Sequence, residues 1–169
     1  MLRGELARIV DHALAAAAIA YEQTAAAPLQ KPRILAAIRA SGVAVVERLY
    51  APHTIEAVSV IARFDEERIS RLGREDADDL VGICCYLQAA CEDALALGAH
   101  LRVARTELDA DRFAAWTRGD HVRAQQAARA AEAVEELLTG AVKAGSAFAF
   151  PAGRAALVRS WIAARADLA

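Results

Sequence analysis

From Leu80 to Leu108 the chain keeps a stripe at alternating steps of four and three residues: Leu80, Cys84, Leu87, Cys91, Ala94, Gly98, Leu101, Arg105 and Leu108. A period of 3.5 keeps these positions on one side of a helix, whereas a strand would send alternate side chains to opposite faces. The register passes through "LGAH" without a slip, which predicts one helix over 76–108, on the order of 50 Å long at 1.5 Å per residue. The acidic "REDADD" ahead of it suits the positive end of the helix dipole. A second stripe, Ala124, Ala127, Ala131, Val134, Leu138, Ala141 and Gly145, repeats the same steps. Its small side chains imply close interaxial packing. The fold class expected is all-α, a single-domain antiparallel bundle over 1–169 with about five main helices and one short one, the 76–108 helix serving as its spine.

Punctuation sets the other elements. Prolines stand at 28, 32, 52 and 151, and proline lacks the amide hydrogen a helix interior uses. A first helix is expected over 2–24 and a second over 33–50, with Ser41 and Gly42 as its weak point. A third follows "APHT", with Thr54 as N-cap and Gly73 as terminator. Asp65, near its apolar stripe, has Arg68 as an i+3 ion-pair partner. Beyond the spine, Asp109 is expected to cap a short helix carrying Phe113 and Trp116. Gly119 ends that helix and Asp120 caps the next. "AGSAFAFPAG" reads as a loop before a last helix over 152–168.

A chain of 169 residues buries roughly 70% of the surface its unfolded form exposes, so it can build a core without disulfides or metals. It holds 44 alanines, and 18 of its 20 basic residues are arginine. That bias is what a GC-rich bacterial genome writes. A net charge of −2 argues against a protein that grips nucleic acid through phosphates. No unbroken apolar run reaches the roughly 20 residues that span a bilayer. Glu5, Asp11 and His12 interrupt the N-terminal apolar stretch where a signal peptide stays apolar or positive. The expected location is cytoplasmic, with no membrane partner.

All three cysteines lie in "GICCYLQAACEDALALGAH". Cys84 and Cys91 are seven residues apart, about 10.5 Å along a helix axis. A disulfide needs Cα atoms within roughly 7 Å, so an intact helix keeps them apart. Cys85 turns about 100° away from Cys84. Small buried apolar roles account for Cys84 and Cys91.

The stretch "CCYLQAACEDALALG" resembles the active-site helix of the alkylhydroperoxidase D and carboxymuconolactone decarboxylase family. Its all-α members carry Cys-x-x-Cys-x-x-x-His, often with Tyr before the second Cys and Gly near the helix end. Cys84 takes the first cysteine, Tyr86 the tyrosine and Gly98 approximately the glycine. Leu87 stands at the second cysteine and Cys91 at the histidine. The resemblance implies a bundle enzyme or small-ligand binder using Cys84, Cys85 or Cys91, although the family's redox disulfide needs the cysteine that Leu87 replaces.

No two of His12, His53, His100 and His121 have i, i+3 or i+4 spacing, and the paired Glu-x-x-His of di-iron bundles is missing. No metal or cofactor is expected. Arg105, a charge in a stripe position, either snorkels, pairs with a carboxylate or faces an anionic ligand; it and His100 are the candidate ligand-binding residues. Two heptad stripes without an assembled catalytic set point to a non-catalytic helical interaction module, an adaptor, chaperone or regulatory subunit. A homo-oligomer, most simply a dimer, with a further protein partner is expected.

Overall fold

In a computed structural model, residues 31–51 and 54–166 are described; the helix expected over 2–24 lies outside them. The described residues form five helices and no strand: α1 (Lys31–Tyr50), α2 (Thr54–Arg63), α3 (Glu66–Ser70), α4 (Arg74–Thr117) and α5 (His121–Ala166). The dominant contact is the antiparallel hairpin of α4 and α5. These helices hold 44 and 46 residues, about 66 and 69 Å at 1.5 Å per residue.

The spacing explains their length. In α4, Leu80, Leu87, Ala94, Leu101, Leu108 and Ala115 are all buried, one at every seventh position. In α5, Ala127, Val134, Ala141, Phe148 and Ala155 keep the same interval. Gly145 lies where an added Cβ would stand 3.9 Å from Ala94 Cβ, so the two helices approach closely there.

Several expectations are corrected. The spine runs to Thr117 and absorbs the separate short helix, because Ala115 continues the buried register and Asp109 takes Arg105 as partner instead of capping. The "AGSAFAFPAG" loop is helix, and α5 runs through Pro151. Burial of Phe148, Ala152, Ala155 and Val158 holds it together at the cost of one backbone hydrogen bond. The third expected helix is divided, since Asp65 Oδ1 accepts from the Arg68 amide at 2.8 Å and starts α3. Gly73 precedes α4 as its N-cap residue. Thr54 opens α2, yet its hydroxyl lies 2.7 Å from the Arg48 carbonyl oxygen and caps no first-turn amide. α1 crosses Ser41 and Gly42 unbroken.

Seven of the nine stripe positions are buried, and the core widens to one side of the stripe. Ala90, Leu97 and Ala104 are buried, whereas Cys91 and Arg105 are half-buried. Past Leu87 and Leu101 the residue three positions on is therefore better covered than the residue four positions on, whereas past Leu80 it is Cys84, four on, that is buried. α1 explains the asymmetry: its Leu35, Ile38 and Val45 join Ala90, Leu97 and Ala104 in one cluster with α5. A second cluster at the open end joins α2, α3, Leu80, Cys84 and Leu87 to Ala155 and Val158. Leu35 belongs to the first cluster and Arg48 meets Asp93, so α1 runs antiparallel to α4 and points its start toward the hairpin turn.

α4 is long and apolar enough, by length and composition alone, to cross a membrane. Here Ala90, Ala94 and Leu97 of that helix belong to the core shared with α1 and α5.

Replacing the fully buried Leu101 by Ala is expected to lower unfolding free energy by about 2–5 kcal/mol. Leu95→Ala, six residues earlier and 63% exposed, should change it by about 0.5 kcal/mol or less. Urea denaturation of both variants checks the register.

Candidate functional site

The three cysteines do not form one site. All are free thiols on α4: Cys84 is buried, Cys85 exposed and Cys91 half-buried. Burial pushes the Cys84 thiol up to about 11, with Cys85 adding to the rise and Arg159 opposing it. Cys84 is thus a poor nucleophile at neutral pH, because the thiolate is the reactive form. Leu87, where the resembling family has its second cysteine, is fully buried.

Tyr86 joins a polar node with α1 and α2. Its hydroxyl lies 3.0 Å from the Arg48 carbonyl oxygen and 2.8 Å from Thr54 Oγ1. Thr54 Oγ1 reaches the same carbonyl at 2.7 Å. Two hydroxyl protons serve three contacts, so at most two are hydrogen bonds at one moment. The Arg48 guanidinium stacks 5.0 Å from the Tyr86 ring centroid while its Nε donates to Asp93 Oδ2 at 3.2 Å. This node closes the C-terminal end of α1 on α4. Beside it, Tyr86, Ile83, Gly82, Asp79, Glu56, Ala57 and Ala51 line an open groove of about 650 Å³.

Of the two candidate ligand residues, His100 is half-buried on α4. Arg105 bridges the hairpin: Nε donates to Asp109 Oδ2 at 2.8 Å, and Nη1 donates to the Ala131 carbonyl at 3.0 Å and to Glu135 Oε2 at 3.4 Å. The hydrogen bond with Asp109 holds its guanidinium more firmly charged. Asp109 Oδ1, shielded from solvent, has no hydrogen-bond partner and faces Arg112 Nη2 at 3.7 Å. Arg105 therefore joins α4 to α5 through three contacts within the hairpin. Among the described residues no group of three or more His, Cys, Asp or Glu side chains could hold a metal ion.

The feature the motifs missed is the hairpin apex. The turn is built by two residues. Gly119, at φ 76°, takes the left-handed conformation that favours glycine, its amide donating to the Trp116 carbonyl at 3.0 Å while that of Asp120 donates to Ala115 at 3.0 Å. Asp120 Oδ1 then accepts from the Arg123 amide at 3.1 Å and starts α5. Immediately below, Phe113 is 73%, Trp116 65% and Val122 69% exposed. Trp116 meets His121 edge to face, centroids 5.1 Å apart. Phe113, Trp116, His121, Ala124, Gln125, Ala128 and Arg112 line an open, largely apolar groove of about 630 Å³. The sequence signal is "FAAWTRGDH", whose helical spacing carries both aromatics but does not fix the face they occupy.

The described residues lining these two grooves include no cysteine. No family model, curated protein or solved structure matches the chain.

In a thiol titration of the native protein at pH 8, Cys85 is expected to react first and Cys84 only on unfolding. Cys84 also predicts a pH dependence: the unfolded thiol ionises near 9.0 and the folded one near 11, so its contribution to stability falls as pH rises through that interval. Cys84→Ala should flatten the fall, measured by urea denaturation across the alkaline range.

Proposed function

We propose that the protein is a non-catalytic helical interaction module, an adaptor, chaperone or regulatory subunit, that self-associates. The observation that carries this reading is the apex. Two large aromatic side chains stand exposed around one apolar groove at the end of a helical arm. Single exposed apolar residues are ordinary, but a contiguous cluster of them marks an interaction surface. Aromatic side chains with an arginine at the edge are the composition enriched at protein interfaces. The arm itself is long for so small a chain, since a compact body of this size is on the order of 40 Å across.

An enzyme or ligand binder working through Cys84, Cys85 and Cys91 receives less support. One thiol is buried with its ionisation suppressed, one is exposed and one is half-buried at the edge of the core. Three cysteines without a disulfide accord with a reducing, cytoplasmic setting.

Light scattering of the full chain over a range of concentrations tests the reading. A mass twice that of one chain, lost on dilution, is expected. A strict monomer at high micromolar concentration would remove its support.

A further inference from the structure

We infer that two chains pair face to face along the whole hairpin in antiparallel order, the aromatic apex of each seated in an apolar groove at the open end of the other. This deepens the self-association reading above and rests on it.

Register defines the face. Tyr86 and Asp93, which meet α1, precede the central Leu87 and Ala94 by one residue. Val81, Gln88, Leu95 and Trp116 instead follow central positions by one, which puts them on the opposite flank of α4. On α5, Ala128, Val142, Ala156 and Ala163 recur at multiples of seven residues and share one side in the same way. Trp116 and Ala128 line the apex groove. Val81, Gln88, Ala156 and Ala163 line a second open groove, of about 470 Å³, at the other end of the hairpin. One face therefore carries projecting rings at its tip and a receiving groove at its open end.

The face is complementary to itself in reverse order. A two-fold axis that lays each Trp116 on the other chain's Val81 crosses α4 midway between them, at Gly98 and Ala99. The corresponding midpoint of Ala128 and Ala156 on α5 is Val142. Along α4 this axis sets Trp116 level with Val81, Asp109 with Gln88 and Arg102 with Leu95 of the second copy. Along α5 it sets Glu135 level with Ala149 and Val142 with its own copy. No like charges of the two seven-residue series meet. A parallel pairing would set Arg102, Asp109 and Glu135 each against itself, which costs binding energy. The surface near the axis is apolar, with Leu95 63% and Val142 50% exposed.

The area matches what a stable dimer needs. Phe113, Trp116, Leu95 and Val142 together expose on the order of 500 Å² per chain, so two chains bring ~1,000 Å² before the groove walls are counted. Specific interfaces begin near ~1,200 Å², and the walls at Ile162, Ala156 and Ala128 supply the remainder. Small alanine side chains at the open end leave room for the incoming Trp116, and buried Trp residues are common centres of binding energy.

The test uses the full chain, with dimer dissociation read by analytical ultracentrifugation and circular dichroism as the folding control. F113D/W116D should raise Kd at least about thirtyfold with helicity unchanged, because both side chains are exposed in the single chain. A156W, which fills the receiving groove and leaves the apex intact, should raise Kd at least about tenfold. Under mild oxidation V142C should give a covalent dimer in most chains, since the axis brings Val142 against its own copy within disulfide reach. V103C, at a site 49% exposed but two residues past Leu101 and turned off the face, should cross-link no more than the native chain. A native dimer that is indifferent to A156W, or that leaves V142C no more cross-linked than V103C, overturns this arrangement and leaves self-association standing. A native chain that is monomeric throughout overturns the underlying reading and this inference with it.

Discussion

The constraint on which the rest of the structure depends is the unbroken seven-residue register between α4 and α5. A straight α-helix drifts about 20° per heptad from a 3.5-residue repeat, so the buried line from Leu80 to Ala115 stays on its partner only if the helices coil around each other. Once that seam is held, each helix has two flanks. One receives α1 through Ala90, Leu97 and Ala104; at the open end, α2 and α3 cover Leu80, Cys84 and Leu87. The other flank passes from Cys91 and Gly98 to Arg105 and Arg112, becoming charged as it nears the turn. The change from apolar to charged tracks where the described structure has a packing partner and where it has none.

Apex aromatics are left outside this core by register, not by lack of apolarity. Near the turn the seam uses Leu108, Ala115, Ala124 and Ala127, all buried. Phe113 and Trp116 fall between those positions, and the close spacing of an alanine-lined seam leaves no volume for a ring. Exposure of both is thus a geometrical consequence of how tightly the two helices meet.

The period of the long helices and most of the phase of α4 were legible in the sequence; the flank that α1 covers and the helix ends were less so. Cys91 and Ala90 are both small and apolar, as are Gly98 and Leu97 apolar neighbours, so hydropathy alone could not say which flank α1 would cover. Pro151 and the glycines around it looked like punctuation because local cost is what a sequence displays. A proline inside a helix costs ~3 kcal/mol, while burying side chains such as Phe148 and Val158 returns about 1.5–3 kcal/mol each, a term visible only once α4 is alongside. Asp109 illustrates the same limit of local signals. An aspartate before an amphipathic run resembles a cap, but inside a helix it can serve Arg105 four residues earlier. The two-residue turn was legible since Gly119 and Asp120 act locally. Of the candidate site, the aromatics could be seen in the sequence and their exposure could not.

Arg105 shows how a charged seam position can serve an arm rather than weaken it. Half-exposed ion pairs such as Arg105 with Asp109 and Glu135 contribute roughly 0–1 kcal/mol, too little to explain a charge where leucine would pack. Their value is geometric. Nη1 donates to the Ala131 carbonyl, a fixed point on the backbone of α5, while Nε is held by Asp109 on α4. A leucine there would permit the helices to slide by fractions of a turn at little cost; a directional bond to one carbonyl does not. The clamp lies just below the apex, on the face away from α1, where the hairpin lacks a third described helix to steady it. The groove between Trp116 and Ala128 is therefore presented in one geometry, and a surface already ordered loses less entropy when it is covered.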